Sequence, residues 1–124
     1  MFARPNTATL PPRGTSAGGG YSTVEDLLRF SNALLGRKLL NAEYTELVTT
    51  GKVATGSGNG KYAYGFGDNA QNGVRWFGHG GGAPGMNGDL KIYPGSGYVI
   101  AALSNLDPPA AGRSSNYIAE RLPI

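Results

Sequence analysis

The sequence predicts an α+β domain in which two N-terminal helices and a C-terminal helix pack on an antiparallel sheet of about three to four strands. Three observations predict this class. Apolar residues recur at helical spacing between residues 23 and 35. Strand-forming segments follow between residues 62 and 103, and the last two flank the turn sequence Pro94-Gly95-Ser96-Gly97. A final helical segment begins after Asp107-Pro108-Pro109, with Asp107 as its expected cap.

The 124 residues fit one domain. We divide them into an irregular lead over residues 1–20, rich in Pro and Gly, and a folded part over residues 21–124. At the start of the folded part, Ser22 and Glu25 match a capping box, and Gly36 ends a helix that we place at 23–35. Asn41 is the expected cap of a second, shorter helix that Gly51 ends.

The strands are predicted from alternation and from turn residues. Residues 62–67 alternate aromatic and small side chains, residues 68–73 read as a polar turn, and a further strand begins at Val74. Residues 90–93 and 98–103 form the hairpin on either side of the Pro-Gly-Ser-Gly turn. The run from Tyr98 is apolar on both faces, which predicts a central strand covered on both sides.

Composition excludes several classes of function. The net charge is +3, but the basic residues are scattered and not interleaved with aromatics, so we expect no nucleic-acid binding. The chain has no cysteine, which excludes disulfides and thiolate chemistry, and its single histidine makes a dedicated metal site improbable. No apolar run could span a bilayer, so we expect no membrane insertion. We also expect no cofactor.

One stretch stands out chemically: residues 77–85, Phe-Gly-His-Gly-Gly-Gly-Ala-Pro-Gly. It holds the only histidine, His79, whose imidazole titrates near neutral pH and could act as an acid or base. The glycines that follow allow another group to approach the backbone closely. Glycine clusters also punctuate turns, so a structural turn is the alternative interpretation.

Nucleophile motifs are missing from the sequence. There is no Gly-x-Ser-x-Gly elbow and no Ser-x-x-Lys, since Ser57 precedes Lys61 by four positions in a glycine-rich segment. The other candidates read as turn, cap or strand-end residues that serve the backbone: Ser16, Ser22, Ser96 and Ser104.

Four segments in order along the chain resemble the β-lactamase-related serine hydrolases, which include class C β-lactamases, DD-peptidases and β-lactamase-like esterases. Residues 16–30 resemble the family's segment AGG-x-x-ST-x-x-DL-x-RF, and residues 64–67 resemble its YG-x-G strand. Residues 78–81 resemble the strand motif written Lys-Thr-Gly or His-x-Gly, and residues 90–105 resemble the hairpin that follows. The resemblance covers roughly residues 14–123.

The resemblance implies the C-terminal part of the β-lactamase/transpeptidase-like fold and, in a complete enzyme, acyl transfer on an ester, β-lactam or peptide amide. His79, Gly80 and Gly81 would line one wall of the cleft and bind substrate, and His79 would hold a substrate carboxylate or the catalytic network. The position of Gly82 supplies an oxyanion-hole N–H in the family. The family's Ser-x-x-Lys and Tyr-x-Asn elements come earlier in the chain, so we expect little activity from these residues alone.

Two alternatives remain. The chain could be a non-catalytic module that self-associates, or that complements a separate N-terminal segment, through an open sheet edge and an uncovered apolar face. It could also bind a small ligand or anion with the amides of residues 80–82.

Overall fold

Three helices and a six-stranded antiparallel sheet make up the described part of the chain. The computed structural model describes Pro5, residues 7–9, residues 11–56, Gly58 and residues 60–124. After a short 3₁₀ turn come the elements α1 (Val24–Leu35), α2 (Ala42–Thr49), β1 (Val53–Ala54), β2 (Lys61–Tyr62), β3 (Gly67–Gln71), β4 (Val74–Ala83), β5 (Met86–Ile92), β6 (Val99–Ser104) and α3 (Ala110–Ala119). The predicted α+β class is confirmed, and the sheet has more strands than the three to four expected.

The sheet is a meander, because each strand pairs with its neighbour in sequence in the order β1 to β6. The predicted turn between β5 and β6 is confirmed: Gly97 has a φ of 75°, and Tyr93 N–H donates to the Tyr98 carbonyl at 2.9 Å. The expectation that this last strand is central was wrong. β6 is an edge strand of the described sheet, and its apolar character reflects the helices α1 and α3, which both contact it.

Helix α1 begins one residue later than predicted, and its cap is different. Thr23, not Ser22, has the extended backbone of an N-cap, and its hydroxyl accepts from Asp26 N–H at 3.1 Å. Ser22 donates to the neighbouring Thr23 carbonyl at 3.4 Å instead. On the inner face of α1, Leu34 is buried and Ser31 satisfies its hydroxyl by donating to the Leu27 carbonyl at 2.8 Å.

Helix α2 confirms the predicted cap, because Asn41 accepts from Tyr44 N–H at 2.9 Å. Its apolar side is uncovered: Tyr44 is 54% exposed and Leu47 is 43% exposed. The buried residue of α2 is Thr49.

The core lies between α1 and the middle of the sheet. Its buried residues are Leu34, Phe77, Leu90 and Ile92, and partly buried side chains pack around them: Leu27, Leu35, Leu40, Phe66, Val99 and Ala101. Burial of such side chains is the main stabilising contribution to a small domain. The rings of Phe66 and Phe77 meet edge to face at 5.4 Å between centroids.

The predictions for residues 62–73 were wrong in two places. The single strand expected over 62–67 is broken by a turn, in which Ala63 N–H donates to the Phe66 carbonyl at 2.7 Å and Gly65 has a φ of 85°. The polar segment that follows is strand β3, and the turn is only Asn72-Gly73, with φ of 53° and 80°. Strand pairing outweighed local polarity because the β3 side chain Asp68 finds partners across the sheet.

Helix α3 begins at Ala110, but Asp107 is not its cap, contrary to expectation. Pro109 occupies the N-cap position and supplies no capping side chain. Asp107 instead accepts from Gly85 N–H at 2.6 Å, in the turn between β4 and β5. Within the described residues, none of the helices has the length and apolar character needed to cross a bilayer.

Candidate functional site

Residues 77–83 of the glycine-rich stretch singled out in the sequence belong to a ten-residue strand, and Pro84-Gly85 forms the turn that follows it. Strand β4 runs through His79 and the three glycines to Ala83, and these glycines pair with β5. His79, Gly80, Gly81 and Gly82 are all exposed. The four predicted site residues therefore lie side by side on one strand.

Backbone N–H groups along β4 alternate in direction, and the two flanking hairpins fix the alternation. The two-residue loops at 72–73 and 84–85 are flanked by the pairs Gln71–Val74 and Ala83–Met86. The residues that flank a two-residue hairpin loop form a hydrogen-bonded pair, which sets the alternation along the strand. Odd-numbered residues of β4 therefore bond to β5, and even-numbered residues face β3. Pairing with β3 extends only to Gly78, which lies opposite Gly67. The N–H groups of Gly80 and Gly82 face an edge of β4 that no described strand covers.

The carbonyl groups of β5 agree with this alternation. A β-carbon built on Gly82 would lie 3.0 Å from the Met86 carbonyl oxygen, and one on Gly80 would lie 3.4 Å from the Gly88 carbonyl oxygen. These carbonyls point at β4, as expected for acceptors of its odd-numbered N–H groups.

His79 is held by a side chain that the sequence did not single out. Its Nε2 lies 2.9 Å from the Tyr62 hydroxyl, and the two rings meet edge to face with centroids 5.8 Å apart. One of the two groups donates and the other accepts, according to the imidazole tautomer. Tyr62 lies on the two-residue strand β2. The turn that interrupts the strand predicted over residues 62–67 follows it directly, so this interruption places Tyr62 beside His79.

A depression of about 260 Å³ lies beside this pair. Three glycines make part of its lining, so the backbone is accessible there. The residues that line it are Tyr62, Gly67, Asn69, Trp76, Gly78, His79, Gly80 and Asp89. A β-carbon on Gly80 would lie 2.9 Å from Asp89 Oδ1, which places this carboxylate oxygen next to the glycine backbone.

Asp89 also belongs to a polar cluster beneath α3 in which Lys91 and Ser115 are buried. The ammonium of Lys91, whose residue is only 5% exposed, donates to Asp89 Oδ2 at 2.5 Å, to Ser115 Oγ at 2.8 Å and to Asn116 Oδ1 at 2.9 Å. Ser115 also donates to Asp89. Burial, and then the charge of Asp89, raise the pKa of Tyr93 above its ordinary value of 10.0.

The described residues offer no metal cluster at this site, and none of the residues that line the depression is a serine. No group of three or more His, Asp or Glu side chains comes together in the part of the chain that the structure describes. Ser104 accepts from Leu106 N–H at 3.1 Å, in keeping with its expected backbone role. Ser57 lies outside the described residues.

Comparison with known proteins places these observations in a family. A family model described as Beta-lactamase matches residues 2–122. None of the curated proteins matches the chain. A penicillin-binding protein from Bacillus halodurans is 28% identical with a TM-score of 0.77, over 87% of this chain and 33% of that one. A D-stereospecific amidohydrolase from a Streptomyces species is 26% identical with a TM-score of 0.63, over 74% of this chain and 28% of that one. The chain thus spans about a third or less of the length of these two proteins.

Proposed function

The chain belongs to the β-lactamase family, and from this premise we propose that it supplies the glycine-lined wall of a serine hydrolase's acyl-transfer site. The substrate would be an ester, a β-lactam or a peptide amide. The observation that carries the proposal is the uncovered edge of β4, toward which the N–H groups of Gly80 and Gly82 point, next to His79. A tetrahedral intermediate carries negative charge on oxygen, and preorganised backbone N–H groups stabilise it.

Each predicted residue has a role in this proposal. Gly82 donates its N–H to the oxyanion. Gly80 and Gly81 leave room for substrate to lie against the strand. His79, held by Tyr62 at 2.9 Å, contacts a substrate carboxylate or the catalytic network. The names of the two similar structures, a penicillin-binding protein and an amidohydrolase, fit a substrate with an acylated nitrogen.

The attacking group lies outside these 124 residues in this proposal, because the sequence contains neither Ser-x-x-Lys nor Tyr-x-Asn. The purified chain should therefore show no turnover of nitrocefin or of a p-nitrophenyl ester above the buffer rate. Turnover that a single Ser→Ala substitution in this chain abolishes would contradict this placement of the nucleophile.

The oxyanion wall can be tested on the chain by amide NMR. Titration with a small phosphonate, which mimics the charge of a tetrahedral intermediate, should shift the Gly82 amide resonance in a saturable way. The Gly95 amide, in the turn between β5 and β6, is the internal control and should stay in place. Equal, non-saturating shifts at both glycines would count against the oxyanion role.

A second candidate, a non-catalytic module that associates through the sheet edge, is favoured by one observation. β6 ends the described sheet, and Leu103 on this strand is 47% exposed. Unpaired strand edges pair with other chains. This candidate predicts concentration-dependent association in sedimentation, reduced by Leu103→Lys but not by the matched exposed substitution Leu39→Lys. A monomer at all concentrations would rule out self-association.

A further inference from the structure

The side chain of Asn87 connects three elements near the proposed oxyanion donor. Asn87 lies on β5 directly opposite Gly82. Its Nδ2 donates to the Gly81 carbonyl at 2.7 Å. Its Oδ1 accepts from the N–H groups of Ala111 at 2.8 Å and Gly112 at 3.3 Å, in the first turn of α3. One amide side chain thus joins the glycine run of β4 to the start of α3.

The hydrogen bond from Asn87 to the Gly81 carbonyl also restricts the orientation of the Gly82 N–H. The Gly81 carbonyl and the Gly82 N–H belong to the same peptide unit, which is planar and trans, so the two bonds point in opposite directions. Holding the carbonyl toward β5 therefore holds the Gly82 N–H toward the uncovered edge of β4. We propose that Asn87 is a positioning residue that orients the Gly82 N–H; this inference rests on the oxyanion role proposed above.

The glycine run is a segment in which an additional restraint has an effect. Glycine backbones populate many more conformations than other residues, and three follow one another here. On the edge facing away from β5, no described strand supplies hydrogen bonds to hold Gly80 and Gly82. The Asn87 bond adds a second donor to the Gly81 carbonyl, which the ladder already orients toward β5.

The loop before α3 also contacts Gly82 and the turn that follows it. A β-carbon built on Gly82 would lie 2.4 Å from Pro108 Cγ, so the loop packs directly on this glycine. Asp107 accepts from Gly85 N–H at 2.6 Å. Because Asn87 holds the first turn of α3, it also anchors the helix that this loop enters.

The two functions of Asn87 can be separated by one substitution. Asn87→Asp keeps an oxygen for the amides of Ala111 and Gly112, and a carboxylate at a helix N-terminus is favourable. It removes the N–H donor and sets a negative oxygen beside the Gly81 carbonyl. We expect α3 to stay folded, with a melting temperature within about 4 °C of the parent chain, while the Gly81 carbonyl loses its side-chain donor and keeps only the ladder.

The experiment measures the backbone order parameter of the Gly82 amide by NMR relaxation. In the parent chain it should be that of a rigid backbone, about 0.85, and in Asn87→Asp it should be measurably lower. Asn72→Asp is the charge-matched control, since Asn72 lies in an exposed turn with a φ of 53° that Asp also adopts. It should leave the Gly82 order parameter unchanged.

Three outcomes would overturn the inference. The first is an unchanged Gly82 order parameter in Asn87→Asp. The second is a large loss of melting temperature with loss of the α3 amide signals, which would make Asn87 a helix cap only. The third applies if the variant does not fold, and it is a mobile Asn87 side-chain amide in the parent chain. The Gly82 order parameter could depend on Asn87 while the Gly82 amide does not respond to phosphonate. That result would reject the oxyanion role and would leave the positioning role of Asn87 in place.

Discussion

Arg75 donates from Nε to Asp68 Oδ1 at 2.8 Å, across the β3–β4 hairpin. The pair also reaches the end of α2, because Gly51 N–H donates to Asp68 Oδ2 at 2.9 Å and Arg75 Nη2 donates to the Thr49 carbonyl at 3.1 Å. Burial raises the pKa of Asp68, but the hydrogen bonds from Arg75 and Gly51 and the charges of Arg75 and Lys61 outweigh it. The net pKa lies below the ordinary value of 3.8.

The lowered pKa of Asp68 predicts an acid-dependent loss of stability. A carboxylate whose pKa is lower in the folded state than in the unfolded state stabilises the fold fully above about pH 4, and this contribution is lost as pH falls through the folded-state pKa. Asp68→Asn should therefore lower the free energy of unfolding at neutral pH by about 1.5–3 kcal/mol and flatten its decline in acid. Urea unfolding at a series of pH values measures both.

Glu120→Gln is the control for this series, because Glu120 lies in an exposed pair with Arg121 at 3.6 Å. It should change the free energy of unfolding by less than about 0.5 kcal/mol. If the free energy of unfolding of Asp68→Asn declines in acid as steeply as that of the parent chain, the pKa of Asp68 does not govern the decline.

Lys91 should be the most sensitive of the charged residues. Its removal leaves the carboxylate of Asp89, whose side chain is only 15% exposed, without its cation, and breaking a largely buried pair in this way costs about 3–5 kcal/mol. We expect Lys91→Met to lose that much stability in urea unfolding and the double variant with Asp89→Asn to recover part of it. Lys52→Met, at an exposed lysine, is the matched control. A single and a double variant of equal stability would contradict the coupling.

Two glycines of β4 should respond oppositely to the same substitution. A β-carbon on Gly78 would lie 1.8 Å from the Leu90 carbonyl oxygen, whereas one on Gly81 would meet nothing within 4 Å. Gly78→Ala must displace β5 and should unfold or strongly destabilise the chain. Gly81→Ala should be neutral or stabilising by up to about 1 kcal/mol, because it restricts the unfolded chain. Thermal unfolding separates the two, and a destabilised Gly81→Ala chain would contradict the open space at that position.

Local signals were enough to predict much of this fold. The cap at Asn41 and the turn at residues 94–97 depend on neighbours within a few residues, and both were confirmed. The polar strand β3 was missed because its stability comes from pairing with β4 and from Arg75, seven residues from Asp68. No periodicity in the sequence could reveal such a partner.

The candidate site was also predictable from the sequence only in part. The sequence drew attention to His79 and the glycines because they are unusual in composition. Tyr62, which bonds to His79 from 17 residues away, and Asn87, which bonds to α3 from 24 residues away, have ordinary neighbours. Only the sheet register and the start of α3 bring them to the site.

Tyr62→Phe provides a direct measure of the Tyr62–His79 hydrogen bond. The variant keeps the ring contact but removes the hydroxyl that lies 2.9 Å from Nε2. Since His79 is the only histidine, its imidazole nitrogen resonances are assigned without ambiguity, and the Nε2 resonance should shift. Stability should fall by no more than about 1 kcal/mol because the bond is exposed.

Tyr64→Phe removes an exposed hydroxyl two residues away and should leave the Nε2 resonance unchanged. The same Nε2 resonance in the parent and in Tyr62→Phe would mean that the hydrogen bond is not formed in solution.

The consecutive strand order has a kinetic consequence. Each of the six strands finds its hydrogen-bonding partner next along the chain, so sheet assembly needs only short loop closures. Topologies dominated by contacts close in sequence fold faster than those that join distant segments. Each strand therefore has its pairing partner available as soon as the next strand along the chain has been synthesised.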